Sequence, residues 1–225
     1  MAGPVLAGGG AEALDAAYGG LSDLIVSLDE DQSWKNTRCR GWVVRDLILH
    51  LLSDAQRGLV ALARPGHQPP DKDAVTYWMD APGAPDPESR DIRALRSMAS
   101  QSSLGYLTST YVETAAAVRA LARRTSAEAT VSTQGHVLRT DDFLATLVVE
   151  AAIHHLDLIV ELDDPGPPGS GLVVVRTTLD GLLGRTTPTD WSTAEWALVA
   201  TGRVAPTDQH RAVLGADIDR LPLLR

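Results

Sequence analysis

The stretch TDDFLATLVVEAAIHHLDLIVEL, residues 140–162, decides how this chain folds. Its periodicity predicts a helix from about Thr140 to Leu162, with Asp141 in the first turn, where a carboxylate suits the helix dipole. At 100° per residue, Thr146, Glu150, His154, Asp157 and Glu161 fall in a sector about 80° wide, and nearly every other direction is apolar. His155, on the far side, is the exception. A surface helix has a broad polar half, so a narrow charged strip on an apolar rod implies burial against neighbours on both flanks. Carboxylates and a histidine buried there need a compensating group, and a divalent cation is one solution.

Working outward, a second helix is predicted from about Val43 to Ala63, closed by Pro65 and Gly66. Asp46, His50, Ser53, Asp54 and Arg57 fall together on its wheel, flanked by Leu47, Leu49 and Val60. Facing the two strips brings His50 beside Glu150 and His154, which are one helical turn apart and can reach one ion. His155 lies about 140° from Glu150 on the wheel, which favours His154 as the ligand. Two histidines and a glutamate form a set that zinc accepts while keeping a position open. The same set also describes non-haem iron sites, and each strip taken alone also reads as a solvated face.

The remaining elements fit an all-α fold. A first helix is expected from about Ala11 to Leu28, with Leu14, Tyr18, Leu21 and Ile25 at helical spacing. Residues Gly66 to Pro87, dense in Pro, Gly and Asp, read as a long crossover whose apolar part is Tyr77, Trp78 and Met79. A third helix is expected from about Ser89 to Arg124, bent near Ser102 to Gly105, and Ala127 to Gly135 reads as a loop or short extended piece. The DDPGPPG run at 163–169 marks a boundary, so residues 1–163 are expected as the main domain and 170–225 as a small helical module. Helices in that module are placed near Gly171–Leu183, Ser192–Thr201 and Thr207–Leu214.

Composition narrows the function. The formal charge of -9 argues against a nucleic-acid partner. No basic region opens the chain as a signal peptide would, and Glu150, His154 and Asp157 interrupt the most apolar run, so a cytoplasmic protein without a membrane partner is expected. Lys35 and Lys72 are the only lysines, which fits a GC-rich genome. The lone cysteine, Cys39, excludes an internal disulfide; it reads as structural rather than nucleophilic.

Two motifs carry a family resemblance. The segment CRGWVVRDLILHL, residues 39–51, resembles the signature of the mycothiol-dependent maleylpyruvate isomerase family within the DinB-like bundles, where such a run leads into a ligand histidine. The block from Asp141 through Glu150, His154 and Asp157-Leu158 is similar to that family's Glu-x-x-x-His-x-x-Asp-Leu block. The resemblance spans roughly residues 11–163. It implies a DinB-like four-helix bundle with a long crossover, a metal triad of His50, Glu150 and His154, and mycothiol as the thiol cosubstrate; the donor set itself makes zinc the expected metal. It departs at Leu147, where relatives often carry arginine. It departs again at residues 170–225, which look like the helical tail of other actinobacterial members rather than a sterol-carrier-like second domain.

The expected chemistry is that of a thiol S-transferase or isomerase acting on a small-molecule electrophile, in a monomer or homodimer. A metal held by two imidazoles and one carboxylate keeps positive charge and can hold a sulfur as thiolate. Asp46, Asp54, Arg57 and Asp157 are candidates to orient ligands or cosubstrate, and Trp42 and Trp78, with Trp34 and Tyr77, to line a pocket. The rivals are another metalloenzyme on the same ligands and a binding bundle without turnover.

Overall fold

The computed structural model describes residues 9–80 and 89–224. Helix α1 spans Gly10–Ser27, a short α2 Glu30–Ser33, and α3 Val44–Leu62. After a 3-10 turn at Thr76–Asp80 come α4, Arg90–Gln101, and α5, Leu104–Ala122. The end of the expected crossover, 81–87, lies outside the described residues. Strands β1 (Thr130–Thr133) and β2 (His136–Arg139) form an antiparallel hairpin that leads into α6, Thr140–Leu158. Helices α7 (Gly169–Leu183), α8 (Thr193–Ala200) and α9 (Asp208–Leu214) complete the chain. The fold is all-α and DinB-like, with one small hairpin.

The long helices pack side by side, α3 on α5 and α6, and α1 on α5 and α6. Helix α6 is the centre. Every residue from Thr140 to Leu158 except Glu150 is buried, because α7 and α8 cover the side of α6 that the bundle leaves free. Length and composition alone would let Thr140–Glu161 cross a membrane, at a mean hydropathy of 1.7; here 78% of that window is buried inside the protein.

Close approach is built in at Gly58, where a Cβ would stand 3.0 Å from Leu147 Cδ1 and 3.5 Å from Val118 Cγ1. That glycine lets α3 settle between α5 and α6. One hydrophobic cluster runs from Leu14 on α1 through Phe143 on α6 to Trp196 on α8 and Leu224.

Three expectations are refined. The third helix is two helices, because Ser102 leaves the helical conformation and the Ser103 hydroxyl accepts the Tyr106 N–H to start α5 afresh. The extended piece after Ala127 is a full hairpin, turning at Gln134 (φ 46°) and Gly135 (φ 83°), the left-handed pair that a two-residue turn needs. Helix α6 tightens into a 3-10 turn at Ile159–Glu161, which swings Glu161 off the strip; its carboxylate accepts from Asn36 instead.

Candidate metal centre

His50 projects from the second turn of α3, and Glu150 and His154 from successive turns of α6. Their ligand atoms all lie within 4.8 Å of one another. The His50 and His154 rings meet edge to face, with centroids 4.8 Å apart and planes at 85°. Glu150 Oε2 stands 3.2 Å from His154 Nε2. Ligands of a tetrahedral zinc ion are about 3.4 Å apart, so small side-chain rotations would bring all three onto one ion.

The second nitrogen of His154 is fixed just as firmly. Nδ1 lies 2.9 Å from Asp157 Oδ2, and because an ionised carboxylate only accepts, Nδ1 is the donor and Nε2 is turned to the triad. Asp157 is wholly buried, and Arg203 forks onto both of its oxygens, Nε to Oδ1 at 2.7 Å and an Nη2 to Oδ2 at 2.8 Å. Arg203 enters from the turn after α8. Sequence reasoning missed it, since no local pattern announces a contact made across 46 positions.

The Cys39 thiol donates to Asp157 Oδ2 at 3.3 Å and lies 3.9 Å from His154 Nδ1. Cys39, His154 and Asp157 thus form a second cluster close enough to ligate. Arg203 decides against it: with both carboxylate oxygens engaged by the guanidinium, Asp157 acts as hydrogen-bond acceptor to His154. Cys39 is half-buried, less enclosed than its structural reading implied.

Electrostatics follow from this layout. Burial, and after it the neighbouring His154, lower the His50 pKa to about 4, so His50 is neutral with a free lone pair. Burial would also depress His154, but hydrogen bonds with Asp157, Cys39 and Glu150 outweigh it and hold the ring well above the ordinary histidine range. Burial likewise opposes ionisation of Glu150 and Asp157. His154 overcomes it for both, joined at Asp157 by Arg203, and both carboxyls stay ionised.

The other candidate residues divide. Trp42 packs edge-on against the His50 ring, centroids 5.5 Å apart, beside the triad. Asp54, Arg57, Tyr77 and Trp78 form a contiguous group one to two turns further along α3: Arg57 donates to Asp54 Oδ1 (3.1 Å) and to the Tyr77 hydroxyl (2.8 Å), and Trp78 meets Tyr77 edge-on. Asp46 is employed elsewhere. As the third residue of α3 it accepts the Val43 N–H at 3.0 Å and pairs with Arg96 at 3.8 Å, holding the helix start. Trp34 lies under the Arg45 guanidinium, 4.1 Å from its ring centroid, and is half exposed. His155 points away from the triad, buried, with Nε2 2.9 Å from Asp164 Oδ1, where it ties α6 to the segment before α7.

The family model of the mycothiol maleylpyruvate isomerase N-terminal domain matches residues 14–159. No curated protein matches the chain. Among solved structures, a mycothiol-dependent maleylpyruvate isomerase is similar at TM-score 0.60 and 17% identity, over 87% of this chain and 89% of that one. A histidine-to-alanine mutant of the isomerase is similar at TM-score 0.58 and 16% identity, with the same coverage. At such identities the likeness shows the fold, and 87% is too large a share for residues 1–169 alone, so it extends into the C-terminal helices. With most of its length matched by the family model, the chain belongs to the mycothiol maleylpyruvate isomerase N-terminal domain family.

Proposed function

We infer that this chain is a metal-dependent mycothiol enzyme, an isomerase or S-transferase acting on an electrophilic small molecule, with His50, Glu150 and His154 as the metal ligands. The observation that carries this is the convergence of those three donors, with His154 locked by Asp157 and Arg203, in a member of this family. A divalent ion there, zinc by the chemistry of the donor set, would hold the sulfur of bound mycothiol as thiolate at neutral pH.

The chain's own residues supply the rest. His50 is neutral without needing to lose a proton, and Trp42 against its ring limits the directions it can take. His154, with Nδ1–H given to Asp157, offers Nε2 alone. Glu150 contributes one negative charge, so the centre stays cationic, and Arg203 balances Asp157 so that the buried carboxylate does not subtract from it. In the reaction the thiolate sulfur forms a bond to an electrophilic carbon of the acceptor. For isomerisation, an activated double bond becomes single, rotates, and reforms as sulfur departs with its electron pair, returning the thiol. For transfer, a leaving group departs instead and the thiol is retained.

The test is to titrate mycothiol into cobalt-loaded protein and follow the thiolate-to-cobalt absorption. A band that saturates at one equivalent is expected; its absence would sink the assignment. Maleylpyruvate, acted on by the solved relative, is the first acceptor to try. Turnover that needs only catalytic mycothiol marks an isomerase, and stoichiometric consumption marks a transferase.

A further inference from the structure

Ahead of α3, residues 36–43 are folded more tightly than a connector requires. Asn36 and Val43 pair as an isolated antiparallel bridge, and inside it the Trp42 N–H donates to the Cys39 carbonyl at 3.0 Å, closing a turn whose third residue is Gly41 at φ 79°. That left-handed value is one glycine supplies at the third place of such a turn. Thr37 locks the turn from within. Its hydroxyl accepts the Cys39 N–H at 3.1 Å and donates to the Trp42 carbonyl at 3.0 Å, and its own N–H donates to that carbonyl at 3.1 Å.

This small hairpin reaches both ligand-bearing helices. Toward α3, Trp42 stands edge-on to the His50 ring, 5.5 Å between centroids. Toward α6, the Arg38 N–H donates to the Asp157 carbonyl at 3.1 Å, and the Cys39 thiol donates to Asp157 Oδ2 and lies 3.9 Å from His154 Nδ1. Lys35 Nζ donates to the Glu161 carbonyl at 3.0 Å and Asn36 to its carboxylate, just past the end of α6. Joining α2 to α3 calls for none of these contacts with α6. Glu150 and His154 are spaced by one helix, but His50 comes from another, so the gap between His50 and His154 is the dimension that α6 alone does not set. Ligand constellations bind well when held to within about 0.5 Å.

We propose that residues 36–43 are a strap that fixes the His50–His154 spacing in advance of the ion, with Thr37, which touches neither ligand, as the positioning residue that keeps the strap closed. The strap deepens the function inferred above and rests on it for the metal.

The test reads metal affinity by competition against a chelator, at a temperature where every variant is folded by circular dichroism. Thr37→Val removes the hydroxyl at nearly constant shape and should weaken metal binding about tenfold, the low end for a lost orienting partner. Thr37→Ser keeps the hydroxyl and should bind as the native protein does. Gly41→Ala opens the strap from the turn instead: no atom lies within 4 Å of the added Cβ, so the cost is backbone strain alone, again about tenfold. Gly184→Ala imposes the same strain at the end of α7, at the same φ of 79° and in equally open space, and should leave metal affinity unchanged. Native affinity in both Thr37→Val and Gly41→Ala, Thr37→Ser as weak as Thr37→Val, or equal weakening by Gly184→Ala would each overturn the proposal. If the native protein takes up no metal, the triad reading fails by itself, and the strap is then judged in the metal-free protein by the nuclear Overhauser contact between the Trp42 indole and the His50 ring. Its loss in Thr37→Val sustains the strap; its absence from the native protein, or its persistence in Thr37→Val, refutes it.

Discussion

Replacing Arg203 by glutamine removes the fork on Asp157 and leaves a wholly buried carboxylate with only His154 and Cys39 as partners. Breaking one side of a buried ion pair costs about 3–5 kcal/mol, and we take about 3 because water can follow where Arg203 stood, its side chain being 20% exposed. For a chain of this size that is a fall of about 6–12 °C in melting temperature. A second effect falls on the metal. With Asp157 free to shift, His154 loses its fixed orientation, and a lost orienting partner of this kind weakens metal binding about 10- to 100-fold. The sign of the pH dependence follows from Asp157. Burial alone would raise its pKa, but His154 and Arg203 lower it to about 2, so its stabilising contribution is present above the unfolded carboxyl pKa and is lost as pH falls toward 2. In Arg203→Gln that loss begins at a higher pH. Thermal melts from pH 3 to 7 and metal competition against a chelator measure both effects. Stability within about 1 kcal/mol of native, together with unchanged metal affinity, would refute the reasoning.

Three further outcomes are expected. His154→Gln abolishes stoichiometric metal binding, whereas His155→Gln retains it and loses only stability through the broken contact with Asp164; metal analysis of the two purified variants decides, and the reverse pattern would exchange the ligand assignment. Because His154 is held protonated without metal, metal uptake releases a proton, so affinity falls about tenfold per pH unit below its pKa; calorimetry in buffers of differing ionisation enthalpy should show that proton, and no buffer dependence would contradict it. Gly58→Val forces α3 away from Leu147, one turn before Glu150, and should cost about 1–3 kcal/mol and weaken metal binding as well; a variant as stable as native in denaturant titration would show that the contact has slack.

How much of this was readable beforehand differs residue by residue. The burial of α6 on both flanks was legible, because a narrow polar strip on an apolar rod has few other solutions, and the meeting of His50 with Glu150 and His154 followed from matching two strips. Asp46 shared the same wheel sector yet went elsewhere. Residues in the first turn of a helix face unpaired N–H groups, a local demand that a wheel does not register. Glu161 left the strip because the α-helix ended four residues sooner than its periodicity predicts, and the 3-10 turn that follows advances each residue by about 120° rather than 100°. The hairpin carried its signal openly in Gln134-Gly135 between β-branched residues, but four-residue strands are too short to stand out. Arg203 was illegible, since its role exists only once α8 has docked on α6. The length of the C-terminal segment had also weighed against kinship with the isomerase's own architecture; the likeness over 89% of the solved isomerase chain reduces that weight.

With a metal on the proposed triad, the grip of Arg203 on Asp157 would also make the tail and the ion thermodynamic partners. Whatever factor the seating of α8 adds to metal affinity, the metal must return to the seating of α8, because coupling between two equilibria is reciprocal. Chelation should therefore loosen the C-terminal helices first, and amide exchange around Thr201–Val204 would rise before exchange in α1 or α5. A metal held inside the bundle would thus report on the attachment of a segment that never touches it.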